Sequence, residues 1–127
     1  MRYLGIDYGS KKIGLALSDE AGTMGFPHRI ITNTPRLVDE LKALIEKEKV
    51  GAVVIGDSRT LAGDKNKISA DISVLFAELA KAGMPVHLES EVFTTQEARR
   101  IPEAPYDVDA SAAALILTSY LAKQKQT

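Results

Sequence analysis

Three short stretches carry carboxylates that a fold could gather: GIDYGSKK with Asp7, LESEV with Glu89 and Glu91, and YDVDASAAA with Asp109. Like charges brought together are unfavourable unless a cation sits between them. In a chain with no cysteine and two histidines, hard oxygen donors suit Mg²⁺ or Mn²⁺. Paired hard cations serve phosphodiester cleavage, one activating a water and the other stabilising the leaving oxygen. Each residue also has a plainer role. An aspartate before glycine is a common turn residue, Asp109 ahead of an Ala-rich run is a natural helix cap, and Glu91 could be solvated. His28 and His87 alternate with apolar neighbours and read as structural.

The elements that must position these carboxylates follow from periodicity. Residues 2–6 and 13–17 are apolar runs around a Gly/Lys turn, the pattern of a β-hairpin, and a third strand is expected around His28 to Ile31. From Pro35 to Lys49, Leu37, Val38, Leu41, Leu44 and Ile45 recur at helical spacing, with Pro35 suited to the first turn. AVVIG, residues 52–56, reads as a strand buried on both faces. Ile68, Ile72, Leu75, Phe76 and Leu79 predict a second helix ending at Gly83. VHLES is a short strand, TTQEARR carries a capping box from Thr94 to Glu97, and a last helix starts near Asp109. This order implies a mixed sheet with parallel strands beneath crossover helices. In such sheets sites form outside the carboxyl ends of the parallel strands, where Asp7 and Glu91 both fall and toward which Asp109 could face.

The 127 residues with 45% hydrophobic content fit one domain, residues 1–127. Absence of cysteine and the lack of a signal or spanning segment point to a soluble protein of a reducing cytoplasm. The formal net charge of -1 argues against nucleic-acid binding by bulk positive charge, while leaving room for a local basic face. Lys11 with Lys12, Arg59 with Lys65 and Lys67, and Arg99 with Arg100 are such clusters, and equally are what any solvated surface shows.

GIDYGSKKIGLALSD resembles the opening motif of the YqgF/RuvX family. VVIG with AGDKNKISADISVLFAEL, SEVFTTQEA and VDASAAALILTSYL resemble its later motifs in the same order, across nearly the whole chain. The resemblance implies an α/β, RNase H-like three-layer fold: a five-stranded mixed sheet of order 3-2-1-4-5 with helices on both faces. It implies that Asp7, Glu91 and Asp109 are catalytic and hold Mg²⁺ or Mn²⁺, with Lys11 and Lys12 near substrate phosphates. The implied activity is metal-dependent phosphodiester hydrolysis, in processing the 5′ end of pre-16S rRNA or in resolving four-way DNA junctions. The implied partners are a structured rRNA precursor or such a junction, with the small ribosomal subunit in the first case and no membrane. A two-fold homodimer would suit a symmetric junction and a monomer a single RNA strand.

The chain departs from the family's pattern in places. Ser90 and Val92 flank Glu91 where aspartate and arginine are usual, and valine cannot contact phosphate. Gly56 is followed by Asp57 and Ser58 rather than Leu-Pro, and the RIPEAPYDVD loop is short. A nucleic-acid-binding module without turnover is therefore a second reading. A third follows from GIDYGS, which also resembles the first phosphate loop of actin-like ATPases and sugar kinases; those enclose nucleotide between two such domains, and here one is expected.

Overall fold

A computed structural model describes residues 1–57, 65–90 and 108–125. Among these, five strands and three helices follow one another: β1 (Arg2–Tyr8), β2 (Lys12–Ser18), β3 (Gly25–Thr32), α1 (Leu37–Glu48), β4 (Val50–Asp57), α2 (Lys65–Lys81), β5 (Val86–Ser90) and α3 (Val108–Lys125). The helix expected over TTQEARR, and Glu91 with it, lie outside the described residues.

The strands form one sheet in the order β3-β2-β1-β4-β5, as the resemblance implies. β1 runs antiparallel to β2 and parallel to β4, which runs parallel to β5. Strand alternation then sorts the side chains into two layers. Leu4, Ile6, Ile13, Leu15, Val53 and Ile55 pack under α1 and α2, with Leu37, Leu41, Ile72, Leu75 and Leu79. Ala16 and Val54 face the opposite way, against Ala113, Ile116, Leu117 and Leu121 of α3. β4, the strand expected to be covered on both faces, supplies side chains to both layers.

α3 sits close to the sheet because both surfaces are small there. A Cβ on Gly5 would lie 2.9 Å from the Leu117 Cβ and 3.0 Å from the Ala113 carbonyl oxygen, so only glycine admits the helix at this depth. The Gly25 amide donates to the Thr118 hydroxyl at 3.0 Å, tying the start of β3 to the same helix.

Two helix ends differ from expectation. Pro35 precedes α1 instead of opening it: Thr34, Pro35 and Arg36 form a turn closed by the Leu37 amide on the Thr34 carbonyl at 3.0 Å, and helix begins at Leu37. The turn takes Pro35 because its fixed φ suits that position as well as it suits a helix start. At the other end, Lys49 adopts the left-handed conformation at φ 56°, and β4 starts at the next residue.

Candidate active site

Asp7 is not a turn residue. It lies inside the ladder, opposite Gly14 of β2 on one side and Gly56 of β4 on the other, and Tyr8 still pairs with Ile13 beyond it. The reversal occupies Gly9 to Lys11, where a Cβ on Gly9 would approach the Lys12 carbonyl oxygen to 2.5 Å. Asn33 braces this hairpin: its amide side chain donates to the Gly9 carbonyl and its backbone amide to the Lys11 carbonyl, both at 2.9 Å.

Alternation decides which way Asp7 faces. Leu4, Ile6 and Tyr8 pack toward α1 and α2, whereas Tyr3 and Gly5 meet α3. Asp7 therefore faces the α3 side, half-buried, at the carboxyl end of β1. Its lateral neighbours on that face are both glycine, so the carboxylate is not crowded by side chains from the adjoining strands. Gly56 is in turn opposite Glu89, which extends the line across β5. Two strand spacings of about 4.8 Å separate Asp7 from Glu89. No local pattern marks Gly14 and Gly56 as the flanks of Asp7, because that role depends on cross-strand register.

Lys12 shares the α3 face, since Ile13 and Leu15 belong to the opposite layer. It is exposed two residues before Gly14, at the same end of the sheet as Asp7, and Lys11 is exposed in the adjoining turn. Asp109 is the second residue of α3, in its first turn, and so lies within the helix instead of capping it from outside. Glu91 directly follows β5 and is outside the described residues.

Glu89 is buried beneath α3 and pairs with Lys123, Nζ to Oε1 at 2.7 Å. The two histidines stand apart from the Asp7 line. His87 stacks on Tyr120 at 5.1 Å between ring centroids. Desolvation raises the Tyr120 hydroxyl above its ordinary range, with smaller contributions from Tyr3 and Glu89. His28 lines a cleft between β3 and α1, where desolvation and then Arg29 and Lys47 lower its pKa against the opposing pull of Glu48. Among the described residues no group of three His, Cys, Asp or Glu side chains gathers as a metal site, and Glu91 of the expected triad lies outside them.

Residues 1–123 match the RuvX family, described as Holliday junction resolvase. A protein of Oleidesulfovibrio alaskensis, provisionally named pre-16S rRNA nuclease, is 34% identical over 95% of this chain and 92% of its own length. One of Anaplasma marginale with the same provisional name is 37% identical over 81% of this chain and 68% of its own. Among solved structures, Thermus thermophilus RuvC in complex with a Holliday junction substrate superposes with a TM-score of 0.70 at 15% identity, covering 98% of this chain and 96% of that one. The fowlpox virus Holliday junction resolvase does so with a TM-score of 0.61 at 14% identity, over 97% and 99%. At such identities the likeness is one of fold, and that fold is the RNase H-like one. Family match, relatives and sheet order agree: the chain belongs to the RuvX (YqgF) family.

Proposed function

We propose that this protein is a metal-dependent nuclease that hydrolyses phosphodiester bonds in the precursor of 16S rRNA, at its 5′ end, during ribosome biogenesis. The observation that carries the reading is the setting of Asp7: a carboxylate at the carboxyl end of a central strand, between two glycines, on the face covered by α3. The names of the relatives supply the substrate class.

The course of α3 supports a meeting of Asp7 with Asp109. Along β1, Tyr3 lies against Tyr120 at 6.1 Å between ring centroids, and Gly5 lies under Leu117 and the Ala113 carbonyl. Two strand residues advance about 6.6 Å and four helix residues about 6 Å. The next step of that series pairs Asp7 with the first turn of α3, which holds Asp109. Glu91 would join from the end of β5, just past the Glu89 that already shares the Asp7 line.

This donor set fits a hard divalent cation: carboxylate oxygens, no thiolate, and histidines engaged elsewhere. Asp7, Glu91 and Asp109 would hold Mg²⁺ or Mn²⁺, which when bound supplies water activation and neutralises charge on the leaving oxygen. Asp7, fixed by the ladder on both sides, sets the position of the group. Lys11 and Lys12 offer ammonium groups to the phosphates flanking the scissile bond, a local basic face on a chain of net charge -1. The bracing by Asn33 holds those lysines relative to β1.

A four-way DNA junction is the second reading, favoured by the family's description. Offering precursor rRNA, single-stranded RNA and a four-way DNA junction side by side, with Mg²⁺ or Mn²⁺, separates the two. Preferential cutting of the rRNA supports the first; preferential cutting of the junction, by a two-fold dimer, replaces it with the second. Binding without cutting of any of them would favour a module that has lost turnover, for which Val92 is the sequence argument.

A further inference from the structure

β1 ends in two side chains on opposite faces, Asp7 toward α3 and Tyr8 toward α1 and α2. Tyr8 forms a wall of an open recess of about 190 Å³, with Leu37 and Val38 of α1 and Leu75 of α2 as its apolar walls, and Asn33 and Asp71 among its polar lining. Sites that enclose a whole small molecule usually measure about 300–1,000 Å³, so this recess suits one planar ring system. Val74, at the same recess, is an apolar side chain left 62% exposed.

The recess and Asp7 share one end of the sheet. Asn33 lines the recess and braces the hairpin that carries Lys11 and Lys12. A strand whose phosphates reached Asp7 and these lysines would pass the mouth of the recess. Among the described residues its one charged lining side chain is Asp71, whose carboxylate favours a neutral ring with hydrogen-bonding edges over a phosphate. An aromatic wall, apolar neighbours and a polar edge match a nucleobase, which has a π-face and hydrogen-bonding edges.

We infer that the recess takes one unstacked nucleobase of the substrate strand, held against Tyr8 with its polar edge toward Asn33 and Asp71. The inference rests on the nuclease reading and adds to it a base-binding subsite on the far side of β1 from the scissile bond. Unpaired bases splayed onto aromatic side chains are a common mode of single-strand recognition.

The test uses the RNA or junction that the protein cuts or binds, with an abasic nucleotide placed at successive positions around the cleavage site. KM, kcat and direct binding by fluorescence anisotropy are read for wild type, Tyr8→Phe, Tyr8→Leu and Val38→Phe, each checked by thermal melting. At one position the abasic substrate should bind wild type and Tyr8→Phe about tenfold more weakly, mainly in KM. Tyr8→Leu should bind intact substrate as weakly as wild type binds the abasic one, and lose the abasic effect. Val38→Phe, which fills the recess while leaving residue 8 a tyrosine, should do the same and keeps the test informative if Tyr8→Leu does not fold. An abasic penalty of equal size in the folded variants, or none at any position in wild type, overturns the subsite while leaving the nuclease reading intact. Wild type that neither binds nor cuts nucleic acid overturns both.

Discussion

Asp7 shows how far a residue's neighbours in space can differ from its neighbours in sequence. Beside Gly9 it resembles a turn aspartate, yet register sets it between Gly14 and Gly56 in the middle of a ladder. Asp7→Asn keeps the shape and removes the charge. It should lower cleavage at least 100-fold and abolish the rise in melting temperature that Mg²⁺ or Mn²⁺ gives wild type, read by thermal melting with and without metal. Asp19 gives a pH prediction away from the site. The Thr23 hydroxyl, then the Thr23 and Met24 amides, donate to its carboxylate and hold its pKa at about 2 against an ordinary 3.8. A folded-state pKa below the unfolded one means the contribution is present above 3.8 and is lost as pH falls toward 2. The protection of the Thr23 and Met24 amides, taken relative to their intrinsic exchange rates at each pH, should therefore fall as pH drops through that window in wild type, and should show no such step in Asp19→Asn.

The elements were largely legible in the sequence because their periodicity is local. AVVIG announced a strand covered on both faces, and the Leu and Ile spacing announced α1 and α2. What local pattern could not give was register, and with it the glycine flanks of Asp7 and the burial of Glu89 beneath α3. Nor could it give the depth at which α3 packs, which depends on Gly5 meeting Leu117. Gly5→Ala should push the helix outward and cost about 1–3 kcal/mol in denaturant unfolding; cleavage should fall as well, because the same shift moves the first turn of α3 relative to Asp7. Leu117, fully buried against the sheet, should cost about 2–5 kcal/mol on truncation to alanine. By contrast Lys49→Gly should stabilise by roughly 0.5–1 kcal/mol, since glycine takes the left-handed conformation at the end of α1 without penalty.

At the scale of the molecule, one sheet holds Asp7 on one face and the Tyr8 recess on the other, both at the carboxyl end of β1. Such an arrangement lets a strand wrap the sheet's end across the Gly9 to Lys12 hairpin. Order and fold class were recoverable from sequence because four motifs occur in family order along the chain. The substrate was not, because rRNA and four-way DNA present the same phosphodiester to the same carboxylates. No helix among the described residues is long and apolar enough to cross a membrane. The central claim is that Asp7 works as a metal-holding catalytic carboxylate, and the most direct measurement is cleavage by wild type and Asp7→Asn, side by side, with Mn²⁺ or Mg²⁺ and the three nucleic acids named above. The account predicts metal-dependent cutting by wild type that disappears in the variant while the variant still melts as a folded protein. Equal cutting by the two proteins, or cutting by wild type undiminished by chelator, would contradict it.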